Sequence, residues 1–457
     1  MKLFKKVKRI HFVGIGGAGM IGIARVLLKK GYKISGSDLT DSNDLKKLRE
    51  DGAKVFIGHS KENTQDANLV VVSSAISKTN PEIVQARKDL ITIIPRAEML
   101  GSIMIGYESI AVAGSHGKTT TTSMIAKILS VANLSPTYVV GGKVLSTDEN
   151  SDLGEGKYLV AEADESDGTF THLQPDVAVL TNIDDDHLVH YNNIFENLLD
   201  SFVMFSENVP FYGYLLINGD DKNIKKISKR ISSTQITFGM SKNVNYQINN
   251  IKPNNGKQNF EIYDKKNNKN HKFKLNLPGT HNVFNAAASI GVALEEGIPI
   301  GAIKKGISEF SGVGRRYEKH NIEINSKEVV LIDDYGHHPL EIESNINAYK
   351  EEYPNKKVCM IFQPHRFSRT RDNFQHLQES LKDADFAVVT DIYSAGEEPI
   401  PGISSKNFKG ENIKYIKSLR SVPIYIKDNI TSEDNVLTLG AGDVTLLGPQ
   451  ILKYLHD

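Results

Sequence analysis

Short apolar runs recur along the chain at residues 10–13, 32–35, 55–58, 69–72 and 92–94. More follow at 110–113, 158–161, 177–180 and 215–218, and again at 329–332, 357–362, 386–390 and 436–439. Runs of this length, bounded by glycine and polar residues, read as buried strands. Helical stretches lie between them at 20–30, 81–88, 124–129 and 286–294, and Arg96 opens a further helix. Strands alternating with helices predict doubly wound parallel sheets. Two stretches depart from this: alternation over 246–263 predicts an antiparallel insertion, and the Asn/Lys-rich 252–274 reads as a solvated hairpin or loop edge.

In such sheets ligands bind beyond the carboxyl ends of strands, so the polar residues there carry the candidate chemistry. The first strand runs into Gly14-Ile15-Gly16-Gly17-Ala18-Gly19, a G-x-G-x-x-G, and Asp38 follows the second strand where a ribose would sit. The motif fits NAD, another nucleotide diphosphate, or glycines serving only tight turns. Ser73-Ser74-Ala75-Ile76 sits at the end of a later strand, and Arg96 and Glu98 fit an exposed helix start.

The stretch 114–122, Gly-Ser-His-Gly-Lys-Thr-Thr-Thr-Thr, lies between a strand and a helix. Backbone N–H groups of such a loop can wrap phosphates, with the helix N-terminus adding partial positive charge. Lys118 is placed for terminal phosphates and the Thr119 hydroxyl for Mg²⁺. Only Ser115 and His116 separate Gly114 from Gly117, fewer than in the usual phosphate loop. The strand at 158–161 ends in Glu162-Ala163-Asp164-Glu165-Ser166-Asp167, a solvated turn or a cation site, with Glu162 first off the strand. The strand at 177–180 ends in Thr181-Asn182-Ile183-Asp184-Asp185-Asp186-His187, where His187 is a structural hydrogen-bonder or part of metal or phosphate chemistry. Asn282 and Asn285 share one helical face and either cap the helix or contact a base.

Gly312-Val313-Gly314-Arg315-Arg316-Tyr317 reads as a linker whose arginines are surface charges or a phosphate clamp. Beyond it, strand ends carry Asp333-Asp334-Tyr335-Gly336-His337-His338, Pro364-His365-Arg366 with Arg369, and Gly440-Ala441-Gly442-Asp443. His365, Arg366 and Arg369 together suit a carboxylate ligand.

The 457 residues suggest about three domains at ~150 residues each. Lys+Arg and Asp+Glu are both 55, so no global charge draws the chain to nucleic acid or a membrane. Its one cysteine, Cys359, rules out an internal disulfide, reads as a core residue and suits a cytoplasmic location. The basic start leads into a strand containing His11 rather than a signal-peptide core, and no apolar run is long enough to span a bilayer.

Taken together, the 14–20 glycine loop, the 114–122 loop, 162–167, Asn282 with Asn285, 314–316, 333–339, 364–366, 396–399 and 440–443 resemble the Mur ligases, nearly end to end, and among them the members that add L-alanine. The short phosphate-loop spacing is what that family shows. The resemblance implies an α/β fold of three domains. These would be a Rossmann-like UDP-sugar-binding domain at 1–106, a central P-loop ATPase-type α/β domain at 107–313, and a C-terminal Rossmann-like amino-acid-binding domain at 314–457.

It further implies ATP-dependent ligation through an acyl phosphate, with UDP-N-acetylmuramate and L-alanine as substrates and Mg²⁺ as the metal. No nucleic acid or membrane partner is expected, and the assembly expected is a monomer or weak homodimer. Gly16, Gly17, Ala18, Gly19, Asp38, Ser74, Ala75 and Arg96 would bind the UDP-sugar. Gly114, Ser115, His116, Gly117, Lys118, Thr119, Thr120, Asn282, Asn285, Arg316 and Asp334 would bind ATP. Thr119, Glu162 and His187 would hold metal; Tyr335, His365, Arg366 and Arg369 would line the amino-acid pocket, with His337 the candidate general base. Lys118, Glu162, His187, Arg316 and His337 would be the catalytic set. Several family members carry a carbamylated lysine after the histidine ligand. The matching place here is near Phe202, with no lysine adjacent, as in L-alanine-adding members. Three other readings are a ligase attaching a murein tripeptide to the same sugar nucleotide, an NAD-dependent oxidoreductase, and a nucleotide-switched binding protein.

Overall fold

The computed structural model of the chain describes residues 4, 6–145, 149–324, 327–431, 434–448 and 451. They form two compact units: one of residues up to Asn250, Phe260–Lys274 and Phe284–Phe310, the other of Ile251–Asn259, Leu275–Val283 and the chain from Ser311 onward.

The first unit opens with a parallel sheet of β1 (Arg9–Val13), β2 (Lys33–Asp38), β3 (Lys54–Ile57), β4 (Leu69–Val72) and β5 (Thr92–Pro95), in the order β3-β2-β1-β4-β5. Its helices are α1 (Ala18–Lys29), α2 (Asn43–Glu50), α3 (Pro81–Lys88) and α4 (Arg96–Met104). The apolar stripe of α1, through Met20, Ile23, Ala24 and Leu27, is buried in one core with Ile10 and Phe12 of β1. The hydroxyl of Ser42 caps α2, and Asn80 with Pro81 starts α3. Strand order reverses between β1 and β4, so a crevice opens beyond those two strands, where the glycine loop and residues 73–76 lie.

The second sheet contains β6 (Glu108–Ala113), β7 (Thr137–Val144), β8 (Glu149–Asp152), β9 (Tyr158–Glu162) and β10 (Val177–Leu180). It continues with β11 (Tyr214–Asn218), β12 (Gln235–Gly239), β13 (Tyr246–Pro253), β14 (Gln258–Asp264) and β15 (Lys269–Leu275), in the order β15-β14-β13-β12-β11-β10-β6-β9-β7-β8. Its helices are α5 (Lys118–Val131), α6 (Phe195–Glu207), α7 (Lys222–Ser228), α8 (Thr280–Glu295) and α9 (Ile300–Ser308). Strand β6 lies between β9 and β10, parallel to both, with Val112 opposite Glu162 and Ala113 opposite Leu180. That register brings the three strand ends together. The link between β13 and β14, residues 254–257, is too short for a parallel crossover, as the expected antiparallel insertion requires.

Two helices start earlier than the apolar spacing predicts. Helix α5 begins at Lys118 rather than 124, because Thr120, Thr121 and Thr122 are buried and packing overrides the low helix propensity of threonine. Helix α8 begins at Thr280 rather than 286, so Asn282 and Asn285 lie within it and neither is its cap.

The last sheet, in the second unit, joins β16 (Glu318–Ile324), β17 (Lys327–Asp334), β18 (Lys357–Phe362), β19 (Phe386–Val389), β20 (Ile413–Tyr415) and β21 (Asp434–Leu439) in the order β16-β17-β21-β18-β19-β20. Only β16 runs antiparallel to its neighbour. Helices α10 (Pro339–Glu352), α11 (Phe367–Asp372), α12 (Phe374–Lys382) and α13 (Val422–Asn429) complete it. Met360 and Phe362 pack with Tyr349 and Leu377 on one face, Ile361 with Val388 and Ile426 on the other. Cys359 is buried, and burial pushes its thiol up to about 12, which makes it an inert core residue. The expected terminal helix starts after Leu446, and most of it lies outside the described residues. No helix among the described residues is long and apolar enough to cross a membrane.

Candidate functional site

The first loop is set by β2. The Ser37 carbonyl accepts from Gly14 N (2.9 Å) and Ile15 N (3.0 Å), and Asp38 Oδ2 accepts from Gly16 N at 2.8 Å. A Cβ on Gly16 would sit 2.7 Å from that same oxygen, so a side chain there would displace the Asp38 carboxylate from the loop. Ala18 opens α1, while Ser74 and Ala75 stand exposed at the end of β4. Arg96 is no ordinary helix start. Its guanidinium lies across Gly19, where a Cβ would come within 2.9 Å of Nη1, and it donates to Asp164 Oδ2 at 3.1 Å.

The second loop is held by the neighbouring strand ends. Gly114 and Gly117 both have positive φ, +137° and +82°. Asn182 takes both backbone groups of His116: its Oδ1 accepts from His116 N (2.8 Å) and its Nδ2 donates to His116 O (3.0 Å). Thr181 Oγ1 donates to the same carbonyl at 2.7 Å, and Ser115 N bonds Asn182 O at 3.0 Å. Asn285 Oδ1 accepts from the Thr121 hydroxyl at 3.3 Å and lies against Gly117, 2.3 Å from where its Cβ would be. Thr120, next in the helix, is buried. Asn282 donates instead to Pro278 O at 2.8 Å.

Lys118 folds back into this loop. Its Nζ donates to Gly114 O (2.6 Å) and to Glu165 Oε1 (2.8 Å). Burial opposes its charge, but the carboxylates of Glu165, Asp164 and Glu162 raise its pKa above the ordinary value. Burial in turn pushes Glu165 up to about 7 and raises Glu162, even though Gly141 N and the Thr119 side chain bond Glu162. Asp164 is held at about 2, against burial, by Arg96 and Lys118. Three carboxyl groups therefore surround Lys118, with Arg96 as the second cation, and burial raises two of the three, so a further positive charge would be favoured there. A hard divalent cation bound through Glu162 and Thr119 would supply that charge.

His187 sits in the left-handed region (φ +60°), its N–H bonding Asp186 Oδ1 at 2.9 Å and its Nε2 3.4 Å from Asp186 Oδ2. Nearer the loop it is Asp184 whose carboxylate meets His116, at 3.7 Å. Among the described residues no three His, Cys, Asp or Glu side chains form a ready-made metal cage. Mg²⁺ commonly takes one or two carboxylates and completes its shell with phosphate and water. Phe202, at the place of the absent lysine, is buried edge-on against Phe170.

In the second unit the ends of β17, β18 and β21 converge, with Asp334 and Phe362 both opposite Leu439. Asp334 is buried and organises its own loop: it accepts from Tyr317 N (2.7 Å), Gly336 N (2.7 Å) and Asn345 Nδ2 (2.9 Å). Burial, against the pull of Arg316, pushes its carboxyl up to about 6. Arg315 and Arg316 lie over the Tyr335 ring at 5.1 and 5.2 Å. Arg315 and Tyr317 have φ of +57° and +54°, costly for residues with long or bulky side chains, and strain of this kind gathers at functional sites.

His337 Nδ1 is 3.0 Å from Tyr335 O; a carbonyl only accepts, so Nδ1 carries a proton in that contact. His337 approaches His365 at 5.5 Å between ring centroids, and Arg369 Nη1 is 3.2 Å from His365 Nδ1. The structure thus brings Tyr335, His337, His365 and Arg369 into one run, with Arg366 at the head of α11 at a positive φ (+67°). Sequence reasoning missed Tyr393. Its ring stacks on His365 (5.5 Å, 16°), and its backbone bonds Pro364 O and Arg366 N at 2.8 Å each. It also missed Glu165 and Asn182 as partners of the phosphate loop. Both lay in polar clusters it had singled out, but only the sheet register shows which members point at the loop.

Three family models match the chain: "Mur ligase family, catalytic domain" over residues 9–108, "Mur ligase middle domain" over 112–293, and "Mur ligase, glutamate ligase domain" over 315–442. The chain is 42% identical over 460 residues to a UDP-N-acetylmuramate–L-alanine ligase of Trichlorobacter lovleyi, covering 99% of this chain and 100% of that one. It is 42% identical over 462 residues to the protein of the same description from Geobacter sulfurreducens, covering 100% and 99%. Among solved structures it is similar to the UDP-N-acetylmuramate–alanine ligase of Thermotoga maritima, with a TM-score of 0.84, 29% identity and coverage of 98% and 99%. The fold is shared with a murein peptide ligase of Psychrobacter arcticus, with a TM-score of 0.74, 22% identity and coverage of 98% and 99%.

Proposed function

Because the chain belongs to the Mur ligase family, we infer that it joins L-alanine to UDP-N-acetylmuramate at the expense of ATP, giving UDP-N-acetylmuramoyl-L-alanine, ADP and phosphate for peptidoglycan synthesis. The observation that carries this reading is the 42% identity to L-alanine-adding ligases along essentially the whole chain. The three-domain division at 1–106, 107–313 and 314–457, a cytoplasmic location and a monomeric or weakly dimeric state belong to the same proposal.

The chemistry follows from the difficulty of the bond. An amide does not form from a carboxylate and an amine in water unless the acid is activated. The muramyl carboxylate attacks the γ-phosphorus of ATP, the bond to the bridging oxygen of ADP breaks, and an acyl phosphate results. The amine of L-alanine then attacks the acyl carbon, and inorganic phosphate leaves from the tetrahedral intermediate.

Residues of the 114–120 loop cradle the phosphates through backbone N–H groups, and Lys118 turns from Glu165 towards the terminal phosphates. Thr119, Glu162 and His187 would hold Mg²⁺, which neutralises charge on the transferring phosphoryl group when bound. Asn282, Asn285, Arg316 and Asp334 complete the ATP site in this reading. Gly16, Gly17, Ala18, Gly19, Asp38, Ser74, Ala75 and Arg96 receive the sugar nucleotide. His365, Arg366 and Arg369 bind the carboxylate of L-alanine beside Tyr335, and His337 Nε2 takes the proton from its amine.

The test is phosphate release with Mg²⁺, ATP and UDP-N-acetylmuramate, comparing L-alanine with a murein tripeptide and identifying the product by mass spectrometry. Alanine-dependent release with the matching amide is expected. Release with the tripeptide alone, or no amide from either acceptor, overturns the assignment.

A further inference from the structure

Behind the first glycine loop lies a buried polar cluster that the reaction does not use. Glu82, near the start of α3, has a fully buried side chain. Its Oε2 accepts from the Ser37 hydroxyl at 2.5 Å and lies 3.5 Å from His11 Nε2 and 3.4 Å from His59 Nδ1. Its Oε1 accepts from Asn63 Nδ2 at 2.5 Å and from Ser60 N at 3.3 Å. His11, itself fully buried on β1, places its other nitrogen 2.9 Å from the Ser35 hydroxyl. One carboxylate thus ties together α3, β1, β2 and the segment after β3.

A buried ion is tolerated only when its acceptor capacity is filled, and then it fixes its partners firmly. Those hydrogen bonds, set against burial, hold Glu82 at about 2, so it is a permanent anion at neutral pH. Ser37 is the point of contact with the loop. Its hydroxyl meets Glu82 and lies 3.0 Å from His59 Nδ1, while its carbonyl accepts from Gly14 N and Ile15 N. The next residue, Asp38, holds Gly16 N. The backbone that shapes the loop is therefore clamped from behind by a charge that never reaches the ligand crevice.

We propose that Glu82 is a positioning residue for the sugar nucleotide, acting through Ser37 on the Gly14–Ile15–Gly16 backbone. This rests on the reading of that loop as the UDP-sugar site. An apolar core would stabilise the sheet equally well, but it would not fix the hydroxyl and carbonyl of one residue in a single orientation.

The test compares wild type with Glu82→Ala, Glu82→Gln and the milder Ser37→Ala by calorimetric titration with UDP-N-acetylmuramate and, separately, with Mg·ATP. Glu82→Ala is expected to weaken sugar-nucleotide binding about tenfold while leaving ATP affinity within about twofold of wild type. Glu82→Gln, which keeps an acceptor oxygen, should recover part of the loss, and Ser37→Ala should fall in between. Amide hydrogen exchange at Gly14, Ile15 and Gly16 should quicken in Glu82→Ala and Ser37→Ala, whatever the loop binds. If wild type binds no UDP-sugar, the functional reading fails, and the exchange measurement still decides the clamp. Native sugar-nucleotide affinity and native exchange in folded variants overturn the proposal. So does an equal loss of ATP and sugar-nucleotide affinity, which marks a merely structural role.

Discussion

Lys118, partly exposed, and the buried Glu165 form an ion pair in which the ammonium lies 2.8 Å from each carboxylate oxygen. With Gly114 O and Ser115 O also within reach of Nζ, the lysine is fully engaged before any nucleotide arrives. In the proposed reaction it exchanges a carboxylate for a phosphate, one anion for another, so its charge is never left unpaired. Lys118→Ala should lower alanine-dependent phosphate release by about 10²–10³-fold. Release at the native rate in a folded Lys118→Ala protein would remove the lysine from the mechanism.

Glu162 is the last residue of β9, with its carboxyl raised by burial and the Thr119 side chain beside it. If the two share a metal, Glu162→Gln should raise the Mg²⁺ concentration needed for half-maximal activity by about tenfold or more, with a smaller effect at saturating Mg²⁺. A Mg²⁺ titration that superimposes on wild type would exclude Glu162 as a ligand.

Gly117 combines a φ of +82° with the Asn285 side chain 2.3 Å from where a Cβ would lie. Gly117→Ala should therefore abolish measurable ATP binding in titration calorimetry while leaving sugar-nucleotide binding intact. Gly31 also has a positive φ, +84°, but nothing lies within 4 Å of its Cβ position. Gly31→Ala should carry only backbone strain, about 1 kcal/mol of stability, with ATP binding unchanged. Equal ATP affinities for the two variants would contradict this account of the loop.

Arg369 is buried beside His365, which in turn is stacked on Tyr393. Arg369→Ala should raise the KM for L-alanine about tenfold or more, with the KM for ATP unchanged. Tyr393→Leu, which removes the stacking ring but keeps the backbone bridge, should produce a smaller shift in the same constant. A rise in the KM for ATP alone would place these residues elsewhere in the reaction.

Glu82 makes acid stability measurable. Its carboxyl is held at about 2, below an ordinary value of 4.5, so the folded state binds its proton more weakly than the unfolded state. The stabilisation is fully present above about pH 4.5 and is lost as pH falls towards 2. A shift of this size corresponds to about 3 kcal/mol at neutral pH. The stability difference between wild type and Glu82→Gln in urea unfolding should be largest at neutral pH and shrink below pH 4.5. A difference that does not change with pH would show that packing, not charge, is what Glu82 contributes.

Much of this protein is written in local pattern. Apolar runs ending in glycine or in clusters of acids fix where strands stop, and a parallel sheet binds ligands where its strands stop. That is why the loops at 14–19 and 114–120, Glu162, and the Tyr335 and His365 segments are all legible in one dimension. Helix starts were less so. Thr120–Thr122 and Asn282 look poorly helical until burial and packing are known, because intrinsic propensity is a weak term beside tertiary contact.

Pairing is what the chain alone leaves undetermined. The order of strands sets β6 between β9 and β10, and only then do Glu165 face Lys118 and Asn182 grip His116. Likewise His11, Ser37, His59 and Glu82 are scattered over the first quarter of the sequence, each unremarkable alone. They become one cluster because β1, β2 and α3 pack together, which closes His11, Ser37 and Glu82 off from water with His59 at their edge. Sequence determines which groups are available at each strand end; the long-range stacking of strands and helices, driven by burial of their apolar faces, decides which of them meet.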